Sequence, residues 1–454
     1  MNKLVKIKYC KIFLYLISII SMTIAFYGNI FRTCEMNKFE DFKIYSESLV
    51  IGRLNEKSTK FFIPMSRYEP SSPTKNYNRF IETVKLTYTH YFLDSLHTKN
   101  NLKKVYYESS LGFQAFILSI IDTNLDRINF FSNKEIRLNI YRLLFSILFA
   151  LCLIAFIYFS IKQFSILNGY LLLIFICCSQ WLIFFSNNLY WAFFLAFLPI
   201  SITIFFFQKF KFNCKRKYFN LYYFSIYLII FIKCMCGFEY ISTIGVSISC
   251  IVLYYALIEK ISLRRHLIHH FKIFIVFIFG FFSASATYLS SIYLRLGSLS
   301  EIIEKVKFIL LKTTTIINNS ESTLSNLQLS NIIKVYFEGH PFRYGIKTIS
   351  FIQFQHIIFL TSIVGLIIIL FIKKTNTKNL RLHSLAITFF YSILAPLSWF
   401  ILAKGHSNSH YHLNQVLWYL PTLFFAIILL NDLFFRTIIF LRKIIILNYK
   451  SKIV

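Results

Sequence analysis

The sequence predicts an all-α integral membrane protein of about ten transmembrane helices, with a large first outer loop that contains interfacial helices. Three observations carry this expectation. Ten separate apolar stretches punctuate the 454 residues, and short lysine- and arginine-rich segments flank them on alternate sides. The chain is 56% hydrophobic but only 15% charged, whereas a soluble domain carries about 25% charge. A run of roughly 17–25 apolar residues crosses a bilayer as a helix, because only helices and closed barrels leave no backbone group unpaired in hydrocarbon.

The first apolar stretch runs from Cys10 to Tyr27 behind Lys3, Lys6 and Lys8. It lacks a small-residue cleavage site after Ala25, so it reads as a retained anchor rather than a signal peptide. Residues 1–30 then form a cytoplasmic segment and the first helix, and 31–138 an outer loop. In that loop Tyr107 to Ile121 is apolar but short, and is expected to lie at the interface or to re-enter the membrane. Residues 139–294 hold helices two to seven, with spans at Asn168–Phe185, Tyr190–Phe207, Phe219–Ile232, Tyr240–Ile258 and Phe271–Leu294. A second outer loop covers 295–353. Residues 354–454 hold Phe354–Ile372, Leu382–Leu402, a last span centred on Leu420 to Leu430, and a basic tail.

Lys209 to Lys217, Lys260 to Lys272, Lys373 to Arg381 and Arg436 to Lys452 alternate with turns nearly devoid of positive charge. The positive-inside rule places these segments and both termini in the cytoplasm, in a multi-pass inner (cytoplasmic) membrane protein whose first partner is the lipid bilayer. The net charge of +30 is therefore spread over orienting loops. No soluble basic domain remains to grip nucleic acid, so no nucleic-acid partner is expected. The nine cysteines lie mostly within spans and form neither a secreted disulfide framework nor a zinc spacing. Phosphate-binding loops, dinucleotide fingerprints, nucleophile elbows and zinc-protease helices are missing, as is any repeat of fixed period.

Polar residues at the outer ends of spans are what remains. EDFKIYSESLVIGR contains Glu40, Asp41, Glu47 and Arg53; Glu47, followed at once by Leu49, Val50 and Ile51, is the candidate general base, with Asp41 second. AKGHSNSHYHLNQVLWYLP brings Lys404, His406, His410 and His412 beside Trp418 and Tyr419. An ammonium and imidazoles there can donate to a phosphate headgroup, and His406 and His410 share a face if the turn is helical. The run offers no carboxylate ligand, so no metal site is assigned. Lys233 and Glu239 in KCMCGFEYIST either neutralise one another or bind an anionic headgroup. Asn187, Asn188 and Trp191 mark a neighbouring outer turn.

In YSESLVIGR, SNNLYWAFFLAFLP, KCMCGFEYIST and KGHSNSHYHLNQVLWYLP the chain resembles the GT-C class of multi-spanning glycosyltransferases. It is also similar to membrane proteins of bacterial surface-polysaccharide clusters. The resemblance covers the architecture: a cytoplasmic N-terminus, a large first outer loop with an acidic residue near the first helix, then a bundle. It implies inverting transfer of a sugar from a polyprenyl-phosphate donor to a glycan or lipid-linked acceptor outside the membrane, beside other polysaccharide-assembly proteins. Carried over by position, Glu47 or Asp41 would be the base, and Lys404 with the histidines would bind the phosphate; Arg53, Lys233 and Glu239 complete the substrate-binding candidates. No Asp-x-Asp pair stands in the first loop, so a required divalent metal is not implied, and no cofactor beyond the lipid-linked donor. The alternatives are an O-antigen or capsule polymerase, expected to rely on outer-loop arginines, and a transporter or flippase, expected to show broken helices and repeats.

Overall fold

A computed structural model describes residues 3–57, 60–61, 63–70, 79–93, 102–107, 109–128, 133–314, 329–341, 352–374, 376–410 and 413–450. In chain order come α1 (Lys3–Gly28), α2 (Met36–Asn55), β1 (Ser66–Pro70), α3 (Arg79–Leu93), β2 (Leu102–Tyr106) and α4 (Phe113–Arg127). Then follow α5 (Lys134–Gln163), α6 (Ile166–Cys177), α7 (Gln180–Ser186), α8 (Phe194–Phe210), α9 (Arg216–Cys236) and α10 (Ile241–Ile258). The rest are α11 (Leu263–Leu296), α12 (Leu299–Thr314), α13 (Leu329–Glu338), α14 (Phe354–Phe371), α15 (Thr377–Ser392), α16 (Leu394–Leu402), α17 (Lys404–Ser409) and α18 (Thr422–Lys450), with a 3₁₀ segment Asn414–Tyr419 before the last.

Among the described residues seven helical segments are long and apolar enough to cross a membrane: α5, α9, α10, α11, α14, the α15–α16 pair and Thr422–Ile446 of α18. Ile12–Gly28, α6 and α8 are apolar but shorter. Polar residues start several of these helices by accepting hydrogen bonds from otherwise orphaned N–H groups. Asn133 accepts from Glu135 and Ile136, Ser165 from Asn168, Ser179 from Leu182 and Asn376 from Asn379. Inside the bundle, Phe149, Phe156, Phe197 and Phe424 interlock α5, α8 and α18 at ring-centroid separations of 4.4 to 6.2 Å.

The first loop folds into a small subdomain rather than running as an open connection. β1 and β2 pair antiparallel, Ser66 opposite Tyr106 and Pro70 opposite Leu102, with α3 between them in sequence. α2 packs on this ribbon at Gly52, where a β-carbon would lie 1.9 Å from the Ser66 carbonyl oxygen. Two sets of buried charges fasten the subdomain to α5. Glu47 of α2 accepts from Arg142 at 2.7 and 3.1 Å. Arg137 reaches Asp122 at 2.8 Å and Asp126 at 2.7 Å on α4, and Tyr141 donates to Asp122 at 3.0 Å.

Several sequence expectations need correction. The Tyr107–Ile121 stretch is not one helix: Tyr107 still pairs with the Met65 carbonyl as an extension of the ribbon. The helix starts at Phe113, after Gly112 turns the chain at φ +70°, a conformation glycine adopts without steric cost. The Asn168–Phe185 span breaks at Cys178–Ser179 into α6 and α7, because the Ser179 hydroxyl caps a new helix. The short span expected to end before Lys233 is a full helix of 21 residues that includes Lys233 in its last turn.

The last span starts later than expected. Leu413 to Leu420, which carries Trp418 and Tyr419, is buried at all eight positions. Gln415 Nε2, Trp418 Nε1 and Tyr419 Oη donate to the carbonyls of Val335, Tyr336 and Pro341, on or just after α13. Ser247 Oγ donates to the Leu420 carbonyl from α10, and Thr422 Oγ1 to that of Ser392 from the start of α18. Side-chain donors of this 3₁₀ segment thus reach out to neighbouring carbonyls, and Ser247 satisfies the Leu420 carbonyl where the helix ends, the condition under which such backbone is tolerated inside a bundle.

Candidate functional site

Helix direction sorts the ends of the bundle. Arg381 donates to the Gln163 carbonyl, Phe212 N–H to Glu259, and Arg265 Nη1 to Asn213. These bonds gather the lysine-rich connections on one face. The first-loop subdomain, the α7–α8, α9–α10 and α11–α12 connections and α17 lie on the other, loop-bearing face. Every described candidate site residue lies there too; His412 falls outside the described residues.

The α7–α8 connection, residues 187–193, joins the elements of this face. Leu189 N–H donates to Glu47 Oε1 at 3.0 Å and Asn188 Nδ2 to Ser46 Oγ at 2.5 Å. Gln114 of α4 donates to the Tyr190 carbonyl at 2.6 Å, and the Tyr107 and Tyr190 hydroxyls lie 2.8 Å apart. Trp191 stacks on Tyr240 at 5.9 Å and 13°. Tyr240 in turn meets Trp399 and His406, and His406 sits 4.8 Å from His410. A continuous row of side chains therefore runs from the acidic helix after α1 to the histidine turn before α18.

Within this row the candidates divide. Glu47 is completely buried, with one oxygen on the Arg142 guanidinium and the other on the Leu189 amide. That geometry makes it a strut between α2, α5 and the α7–α8 connection, with both oxygens held by internal donors. Arg53 is also internal, paired with Glu56 at 3.1 Å and bonded to the Lys60 carbonyl at 2.6 Å. Asp41 is exposed on α2. Lys233 caps its own helix by donating to the Gly237 carbonyl at 2.7 Å, with Glu239 4.0 Å away. The Glu239 side chain retains 15% exposure where the rim turns meet. Lys404 is exposed at the start of α17; His406 packs against Trp399 at 5.4 Å, and His410 stands exposed at the end of that turn.

Arg67, Glu69, Tyr107 and Tyr190 escaped the sequence reading. Arg67 and Glu69 alternate on one face of β1, beside Val105 of β2 and Tyr107 just after it. With Leu49 and Thr83 they line a cleft of about 300 Å³. Arg67 Nε donates to Ser48 Oγ at 2.7 Å and Nη2 to the Tyr45 carbonyl at 2.8 Å. Burial lowers its pKa, opposed by the neighbouring Tyr190, Tyr107 and Glu69. Burial first, and the Glu239 carboxylate second, push the Tyr107 phenol up; burial, Tyr107 and Glu239 do the same to Tyr190. Both remain neutral hydroxyls, able to donate and to accept. The signal available beforehand was the period-2 pattern of SRYEP, too short to stand out in a loop.

The fold and site define a multi-pass α-helical membrane protein with a polar junction between a docked subdomain and one end of the bundle. No family model, curated protein or solved structure matches the chain. No group of three or more His, Cys, Asp and Glu with metal-binding geometry occurs among the described residues.

Proposed function

We propose that this chain is a membrane glycosyltransferase that moves a sugar from a polyprenyl-phosphate donor to a surface glycan or lipid-linked acceptor. In this reading the shorter apolar helices also cross, giving ten spans, and the loop-bearing face points out of the cell with both termini in the cytoplasm. One observation carries it: Glu239, Tyr107, Tyr190 and Lys233 lie together between bundle and subdomain, and Tyr240 links them to His406, which supports a level at which a lipid phosphate and a water-borne glycan can meet. Glu239 replaces Glu47 as the general base. It takes the acceptor hydroxyl proton while that oxygen bonds to the sugar's anomeric carbon and the bond to the lipid phosphate breaks with inversion. Lys404, His406 and His410 stabilise the negative charge left on the departing phosphate. The cleft lined by Glu69, Thr83, Tyr106 and Tyr107 offers donors and acceptors of the kind that bind sugar hydroxyls, and takes the acceptor.

Outer-loop arginines do not decide between this reading and a polymerase, since Arg32 and Arg127 are exposed. Arg53 and Arg67, with Arg137 and Arg142 of α5, are all engaged in internal bonds. A transporter is the second reading, favoured by the interruptions at α6–α7 and α15–α16. The test is glycan profiling of cells carrying Glu239→Gln or Lys404→Ala at normal protein abundance. Surface glycan lacking one sugar is expected for each. Unchanged glycan with both variants would overturn the proposal; accumulation of complete single repeats would indicate a polymerase, and a solute-uptake defect alone the transporter.

A further inference from the structure

Helix α12 follows α11 on the loop-bearing face and carries two apolar strips side by side. Ile302 is buried, Val306 packs beside it, and the helix rests on α11 and α17. The second strip has no protein cover among the described residues. Leu299, Ile303 and Leu310, at spacings of four and seven, share one helix face and are 67, 66 and 57% exposed. Glu301, Glu304 and Lys305 occupy the opposite side, together with Phe308.

The neighbouring surface indicates what covers the strip. α11 is a span only lightly buried in the protein, and its exposed Phe279, Phe282 and Leu294 form an apolar surface that continues towards α12. A helix with one apolar and one charged side, joined to the end of a span, is stabilised by lying in the interface with its apolar side in the acyl region. We propose that α12 lies in the membrane plane, in the leaflet on the loop-bearing side. Leu299, Ile303 and Leu310 contact acyl chains, and Glu301, Glu304 and Phe308 face water. α17, packed against α12, is thereby held at headgroup depth with Lys404 and His406. This orientation stands independently of the transferase reading.

The experiment places an environment-sensitive fluorescent amino acid at position 301, 303, 308 or 310 of the full chain, reconstituted in phosphatidylcholine–phosphatidylglycerol nanodiscs. Quenching by doxyl-labelled lipid and by aqueous iodide is compared. Positions 303 and 310 should be quenched several-fold more by the lipid probe, and 301 and 308 more by iodide. Iodide quenching at 303 and 310 equal to that at 301 overturns the proposal. Protection of 303 and 310 from both quenchers, with energy transfer between labelled copies, overturns it in favour of a second copy of the chain as the occupant.

Discussion

Glu47 and Glu239 are both acidic residues beside apolar neighbours, yet their surroundings give them different work. The Glu47 carboxylate has its charge matched by Arg142 at 2.7 Å, and removing one partner of a buried pair costs about 3–5 kcal/mol because the other charge is left uncompensated. Glu47→Gln should therefore lower the melting temperature of the detergent-solubilised protein, and adding Arg142→Gln should restore much of the loss. A Glu47→Gln protein that melts normally but is inactive would return this residue to the catalytic role. At Glu239 the expectation is reversed: Glu239→Gln keeps the melting temperature within a degree or two and loses transfer. The sequence marked both positions as unusual. It could not rank them, since the ranking depends on Arg142 and Leu189, which approach Glu47 from 95 and 142 residues away.

Among the elements, the α2–ribbon contact and the segment before α18 depend on packing that no local pattern announces. Ala at position 52 would drive its β-carbon into the Ser66 carbonyl, a backbone atom that cannot rotate aside. Gly52→Ala should cost about 1–3 kcal/mol through overpacking, read as faster protease cleavage within the first-loop subdomain while the bundle stays intact. Trp418 is fully buried and bonded to the Tyr336 carbonyl, so Trp418→Ala should cost about 3–5 kcal/mol, measured as a lower midpoint of thermal unfolding. The sequence shows Trp418 and Tyr419 only as neighbours of a span centred on Leu420 to Leu430. The burial of Asn414–Tyr419 under α13 arises from hydrogen bonds to a segment about 80 residues earlier, which periodicity cannot register.

Across the whole molecule, placing the acidic helix and the histidine turn at one end of the bundle makes a prediction about sidedness. In intact cells an impermeant thiol reagent should label a cysteine at Asp41 and one at Lys404, and leave one at Lys374 unlabelled until the membrane is opened. Labelling of the first two from opposite sides would dismantle the site. The sequence by itself determined the membrane class, the approximate position of each apolar helix and the gathering of basic connections on one face. Those properties follow from transfer free energy and charge asymmetry, which each segment carries locally. Only the tertiary structure decided that the first loop is a docked subdomain and that Glu47 is a strut. It also buried the chain before α18. These outcomes depend on which charges and hydrogen-bonding groups meet across long stretches of chain, and such pairings exist only once the helices have packed.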